Sequence, residues 1–337
     1  MAALNSSLVQ VLSTAALTDC KPREIDRSSG YCNERLEFRF DSGPALIVKR
    51  ARFDWVAERM RASRQAAALL RRRTGVIAPA HLDVERDARG RAVEAYWRIP
   101  QPTLAELWPN IPEKRRPQAL RSWGELLRRV HKVKLSAAGT LHGSRGAADL
   151  AAHLASDLQD RLLPALADTW PSAVPTAESL LREVDEVHAR SRTRPTVLLH
   201  NDFHMGNVLC ERRPRSIRCV GVIDLETAWA GPAESDVALV RMLHGPLFGQ
   251  ELPAGWNSHF LKGYGAELDP IVLRFFYHMH MLNHGYFAAT CGWDEHVRDI
   301  EAAMGGRVAF EVPASKAFAS ASPSTSHVHP TSTAARV

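Results

Sequence analysis

The sequence predicts an α+β chain of two lobes, a small lobe on a mostly antiparallel sheet and a larger, mostly helical one. Three observations carry this. Near the N-terminus, Glu34–Phe40 and Ala45–Lys49 read as strands joined by the turn Asp41-Ser42-Gly43. From Arg115 onward, apolar residues recur at helical spacing. The stretch Thr196–Asp236 then interrupts the helices with three short apolar strands, each delivering polar groups at its end.

With 337 residues, 45% of them hydrophobic and 24% charged, the chain has the composition of an ordinary globular enzyme and can bury a core. Its five cysteines (Cys20, Cys32, Cys210, Cys219, Cys291) are odd in number and lack a C-x-x-C pair. That argues for free thiols in a reducing compartment and against a disulfide framework or zinc site. The apolar stretch Leu8–Leu17 has no basic region before it and is interrupted by polar residues, which makes it a poor signal peptide. No later run approaches the length of a membrane span. A cytoplasmic protein without a membrane partner is expected.

The net charge of +6 is uneven, with nine basic residues from Lys49 to Arg73 opposed only by Asp54 and Glu58. A nucleic-acid footprint is one reading of this cluster. The favoured reading is a solvated helix face beside a phosphate site, because aromatic interleaving and a nucleic-acid motif are absent. No nucleic-acid partner is expected.

In chain order, residues 5–19 read as a short amphipathic helix capped near Asn5 or Ser6. The two strands follow, the second ending on Lys49. A helix over Phe53–Arg73, rich in Ala, Leu and Arg, ends at Gly75. His81–Glu85 and Val93–Ile99 form a hairpin around Asp87–Gly90, and Gln101-Pro102 marks the lobe boundary. The expected division is therefore 1–99, 100–312 and a tail, 313–337, rich in Ala, Ser, Thr and Pro and expected to be disordered. Pro117–Val133 carries a clear apolar face, and Ala147–Leu163 and Ala177–Ala189 follow, separated by Pro164 and the loop to Pro175. Phe275–Ala289 is an aromatic helix with His280 and His284 at a spacing that can ligate metal. Without an H-E-x-x-H arrangement, packed core histidines are the favoured reading.

Chemistry concentrates in His200-Asn201-Asp202-Phe203-His204-Met205-Gly206-Asn207 and the Asp224 that ends the third strand. A carboxylate, an amide and a second carboxylate in that order suit phosphoryl transfer, where one group orients an attacking hydroxyl and two hold Mg²⁺ on nucleotide phosphates. Taken singly, Asp202, Asn207 and Asp224 could be a turn residue, a left-handed loop residue and a strand-end cap. Their joint order and spacing point to a site. His204 and Met205 occupy loop positions to which no role is given.

At these residues the sequence resembles the aminoglycoside phosphotransferase family of small-molecule kinases, relatives of choline kinases. The match runs through His200, Asp202 and Asn207, then Ile223-Asp224-Leu225-Glu226, then Gly231 and Asp236-Val237-Ala238. The resemblance implies a two-lobed protein-kinase-like fold and transfer of a γ-phosphoryl group from ATP or GTP, with Mg²⁺, to a small-molecule hydroxyl. By the same resemblance, Asp202 orients the hydroxyl and Asn207 and Asp224 bind the metal. Lys49, with Gly30 and Asn33 of a phosphate-covering turn, contacts the nucleotide, and Tyr96–Pro100 forms an adenine-binding hinge. His200 supports the loop through its backbone, Asp236 braces the loop or caps its own helix, and Glu226 is an outer metal ligand or a substrate contact. Leu127–His131 resembles a family segment that serves packing.

One departure stands out. Where the family carries a helix glutamate that pairs with the lysine, this chain has Gln65, which predicts a looser hold on Lys49; Glu58 could substitute in another register. An aminoglycoside or related antibiotic, a cationic substrate, is the expected acceptor, met by Glu226, Glu267 and the Asp294–Glu301 cluster. Choline, an amino sugar, or a catalytically idle binding protein on the same fold are the alternatives.

Overall fold

The computed structural model describes residues 22–29, 33–54, 56–82, 86–87, 90–141, 149–214, 216–244 and 252–305. The expected N-terminal helix, Gly30 and the tail from 313 lie outside these residues.

The N-terminal part is a four-stranded antiparallel sheet in sequential order. Its strands are β1 (Glu24–Ser29), β2 (Asn33–Arg39), β3 (Leu46–Ala51) and β4 (Val93–Trp97). Alternation sorts the side chains. Leu36, Phe38, Leu46, Val48, Val93 and Ala95 form a buried apolar cluster. Lys49 stands directly opposite Glu94 in the β3–β4 register. Residues 83–85 of the predicted hairpin partner of β4 lie outside the described residues; among the described ones, His81 bridges Tyr96 and Arg86 bridges Ala92. Helix α1 (Val56–Thr74) crosses between β3 and β4 and stops where Gly75 takes φ +62°, a left-handed C-terminal cap that costs glycine little.

The C-terminal part is helical. A two-residue strand, β5 (Gly139–Thr140), and two small sheets interrupt it. Helix α2 (Leu104–Leu107) opens it with a capping box between Thr103 and Glu106, and α3 (Arg116–Val130) follows. Helices α4 (Leu150–Ser156) and α5 (Leu163–Thr169) are joined by a π turn, Asp157–Leu162. Pro164 therefore does not end a helix, as the sequence suggested. It sits in the first turn of α5, where the π turn has already re-registered the hydrogen-bond ladder. Pro175 likewise falls in the first turn of α6 (Val174–Ser191), a position that tolerates a missing N–H.

Strand β6 (Val197–Leu199) leads into the candidate loop, and β7 (Val208–Arg213) leaves it to pair with β8 (Ser216–Val222). A strand the sequence did not reveal, β9 (Trp229–Gly231), pairs with both β5 and β6. Helices α7 (Glu234–Leu243), α8 (Trp256–Tyr264), α9 (Pro270–Thr290) and α10 (Asp294–Gly305) complete the order. Helices α3 and α8 approach so closely that a Cβ at Gly124 would run into the Phe260 carbonyl, and one at Gly263 into that of Arg121. This contact seats Trp123, fully buried, against Phe203 of the loop, ring centroids 6.1 Å apart and nearly parallel.

Cys210 and Cys219 face each other across β7 and β8 with sulfurs 3.6 Å apart, two thiols in contact, since a disulfide would bring them to about 2.05 Å. No helix among the described residues is long and apolar enough to cross a membrane.

Candidate active site

Two chain segments form a floor and are tied to each other by their backbones. The first is the loop from His200 to Asn207, the second the turn from Ile223 to Thr227. Ile223 donates its N–H to the Asn207 carbonyl at 3.0 Å, and His200 donates Nε2–H to the Ile223 carbonyl at 2.9 Å. Phe203 and Leu225, almost completely buried, plug the two segments into the core.

The loop is held from behind by Asp236 in the first turn of α7. Its carboxylate accepts the N–H groups of His200 at 2.8 Å and Asn201 at 2.7 Å. Of the two roles open to it, bracing is therefore the one its bonds serve. His131, whose segment the sequence assigned to packing, donates Nε2–H to the same carboxylate at 3.0 Å and bonds Tyr264 through Nδ1. Burial would raise the Asp236 carboxyl, but His131 and the loop N–H hold it below the ordinary aspartate range.

Asn201 takes φ +57°, which asparagine tolerates better than most residues, as its place in the sequence suggested. Asp224 takes φ +61°, which nothing in its sequence context signals. A strained aspartate held by its surroundings is a common mark of a working site.

Asn207 donates from Nδ2 to the Asp202 carboxylate at 2.9 Å and to its carbonyl at 3.0 Å, which fixes the carboxylate's orientation. His204 joins this pair. Its Nδ1 accepts the Gly206 N–H at 3.0 Å, and its Nε2 lies 3.1 Å from the Asn207 amide nitrogen and 3.7 Å from the Asp202 carboxylate. Burial raises the Asp202 carboxyl above the ordinary range, against the opposing pull of His204 and His200.

From the sheet, Lys49 reaches down to this floor. Its Nζ lies 3.0 Å from Asp224 Oδ1 and 2.7 Å from Glu226 Oε1. Asn33, the first residue of β2, donates to the other oxygen of Glu226 at 2.6 Å. Burial alone would lower the lysine, but Asp224 and its acidic neighbours hold it well above its ordinary value. Burial likewise opposes the ionised form of Asp224, and the lysine overcomes it and keeps the carboxyl low.

Gln65 is a correction. It is exposed on α1, as is Glu58, and neither faces Lys49. The position facing the sheet is Ser63, because a helix turns by 100° per residue and the buried face runs through Met60, Ser63 and Ala67. Glu226 braces Lys49 instead. Glu267, Asp294, Glu295 and Asp299 are exposed, and Glu301 accepts from Trp170 and Ser172. Burial pushes His280 and His284 down to about 4, and His280 bonds the Ser235 carbonyl at 3.0 Å. They are packed histidines. Among the described residues no group of three or more His, Cys, Asp or Glu side chains forms a metal cluster.

Pro102, at the expected lobe boundary, is fixed to β7, since its carbonyl accepts the Cys210 N–H at 2.8 Å.

The sequence model of the phosphotransferase enzyme family matches residues 25–276. The fold is shared with solved antibiotic phosphotransferases. A thermostable mutant of aminoglycoside phosphotransferase APH(4)-Ia, in ternary complex with ADP and hygromycin B, aligns with a TM-score of 0.61 at 14% identity, over 88% of this chain and 95% of that one. Aminoglycoside 2'-phosphotransferase-IIIa in its GDP complex gives 0.57 at 13% identity, over 88% and 98%. Macrolide 2'-phosphotransferase MphH from Brachybacterium faecium gives 0.53 at 16% identity, over 88% and 98%. A comparison with curated proteins finds no match.

Proposed function

This chain belongs to the phosphotransferase enzyme family, and from that premise we propose that it moves the γ-phosphoryl group of ATP or GTP onto a hydroxyl of a small-molecule antibiotic. The observation that carries the reading is the meeting of Lys49 with Asp224 and Glu226, beside an Asp202 carboxylate that Asn207 holds at 2.9 Å. Phosphoryl transfer leaves a protein little covalent work, so positioning and charge are the catalysis.

In this reading Asp202 receives or orients the acceptor's hydroxyl proton. Its raised carboxyl suits that task, since a base nearer the working pH shares a proton more readily. Lys49 contacts the α- and β-phosphates. The donor set fits Mg²⁺: Asn207 commits its NH₂ to Asp202, which leaves its amide oxygen, and the Asp224 side chain is 42% exposed. When bound, the cation neutralises charge developing on the phosphate oxygens. Asn201 and Asp224, both in left-handed backbone, aim their segments at the place where acceptor and phosphate would meet.

The arguments for an idle binding protein were the neutral residue at 65 and a phosphate-covering turn with one glycine. The set of Asp202, Asn207 and Asp224, with Lys49 held by Asp224 and Glu226, speaks for a transferase instead. The cytoplasm, which supplies nucleotide and keeps thiols reduced, is the proposed compartment.

The test is a Mg²⁺-dependent nucleotide-consumption screen with ATP and GTP against aminoglycosides, macrolides, amino sugars and choline, with the product's added phosphate read by mass spectrometry. Asp202→Ala should lower transfer by about 10²–10⁴-fold while nucleotide affinity is retained. Transfer at the parent rate in that variant would remove Asp202 from its role. Consumption only with choline or an amino sugar would overturn the antibiotic assignment.

A further inference from the structure

Lys49 has a third carboxylate beside it. Glu94 stands directly opposite in the β3–β4 register, which sets the two side chains on the same face of the sheet with Cβ atoms about 5 Å apart. It is 1% exposed, and both ring and hydroxyl donors converge on one of its oxygens: Ser63 of α1 at 2.9 Å and His81 at 2.5 Å bond Oε1. Its other oxygen, Oε2, is buried with no hydrogen-bond partner among the described residues. A buried carboxylate oxygen left bare is costly, so the site is built to receive a donor there. The field of Glu94 already acts on Lys49, adding to the pull of Asp224 that keeps the ammonium charged.

We propose that Glu94 is the positioning residue for Lys49 when nucleotide is bound, filling from strand β4 the place that α1 leaves vacant with Ser63. This rests on the nucleotide-site reading above. In the resting molecule Lys49 is held by Asp224 and Glu226. A nucleotide that brings its cation to Asp224 takes that partner away. The ammonium then needs an anchor that neither metal nor phosphate competes for, and Glu94, opposite Lys49 in the register, keeps one buried oxygen bare. Ser63 and His81 hold its other oxygen, so the carboxylate has little freedom to swing away. A serine at 63 is small enough to admit the strand glutamate, where a longer helix side chain would occupy the same space.

The experiment measures Mg·nucleotide affinity, with a fluorescent ATP analogue, and steady-state kinetics on the full chain. Glu94→Gln should raise the nucleotide Kd and KM about tenfold or more, the loss of one charge-assisted contact, with a smaller change in acceptor KM. Combining Ser63→Glu with Glu94→Ala, which clears the strand side chain and moves the carboxylate to the helix, should restore most of the affinity. A purely structural role would lower the melting temperature without this nucleotide-selective effect or its rescue. Should Glu94→Gln fail to fold, Glu94→Asp keeps the charge and shortens the reach, and should show the same selective loss in part. Parent-like nucleotide affinity in either folded variant overturns the inference and leaves the site reading standing. A parent protein that binds no nucleotide overturns both.

Discussion

Asp236→Asn is the sharpest perturbation of the floor, because it changes one atom and one charge with almost no change in volume. Asp236 is fully buried and satisfies three donors: Asn201 N–H on Oδ1, and His200 N–H and His131 Nε2–H on Oδ2. Asparagine keeps only one acceptor oxygen. With that oxygen at the Oδ1 position, the new NH₂ confronts the His200 N–H and the His131 ring. His131 can switch tautomer, accept from the amide and donate to Tyr264, but the His200 N–H has no such escape. With the amide reversed, Asn201 loses its acceptor at a residue already held at φ +57°. Either way at least one buried N–H is stranded, at about 1–3 kcal/mol, and the bond to His131 loses its charge assistance, about 1 kcal/mol more.

A loss of about 2–4 kcal/mol is a large part of a typical stability of 5–15 kcal/mol. At roughly 2–4 °C per kcal/mol for a chain of this size, melting should fall by about 5–15 °C in scanning calorimetry. The damage falls next to Asp202, so kcat should drop about tenfold or more while nucleotide affinity, set at Lys49, changes little. Melting within about 2 °C of the parent, with unchanged turnover, would refute the bracing role.

Asp224→Ala should abolish Mg²⁺-dependent nucleotide binding measured by calorimetric titration, and unchanged affinity would exclude it as a metal ligand. Gln65→Glu should leave nucleotide affinity within about twofold, because position 65 is exposed; a large gain in affinity would contradict the observed helix register. Burial holds His244 at about 3 and His280 and His284 at about 4, all below an unfolded value near 6.5. These rings stay neutral in the fold while the unfolded chain takes up protons, so their contribution is complete above about pH 6.5 and is lost as pH falls toward 4. At pH 5 the best-buried of them, His244, should cost about 2 kcal/mol, read as a lower urea midpoint than at pH 7. His244→Phe should flatten that dependence, and parallel pH profiles in parent and variant would exclude the ring as its source.

The floor was legible because it is local. His200, Asp202 and Asn207 share one loop, Asp224 ends the strand after next, and short-range spacing encodes their order. The β2–β3 hairpin was legible for the same reason, since period-two alternation in β2 and the Asp41–Gly43 turn fix it without help from the rest of the chain, whereas the edge strand β1 was not read. What escaped is what only tertiary contact decides. Gln65 was misplaced because a short motif match over Arg64–Leu69 cannot set which face of a 19-residue helix meets the sheet. His131 looked like packing because its partner, Asp236, is 105 residues away. Asn33 meets Glu226 across 193 residues, and β9 is three residues long, too short to carry a pattern. The left-handed Asp224 had no glycine to announce it.

The two sides of the cleft are secured by different kinds of bond, and this bears on how the site fills. The floor is tied through backbone groups: Asp236 to two loop N–H groups, Ile223 to Asn207, His200 to the Ile223 carbonyl. None of these competes with a ligand. Lys49, by contrast, is held by the carboxylates of Asp224 and Glu226, with Glu94 opposite. One ammonium among three carboxylates leaves the resting site with surplus negative charge. A bare triphosphate would meet repulsion there, whereas a nucleotide carrying its cation offers Asp224 a partner in exchange for the lysine. In the proposed reading that exchange would leave the floor's backbone bonds intact, so the cost of loading would fall on Lys49.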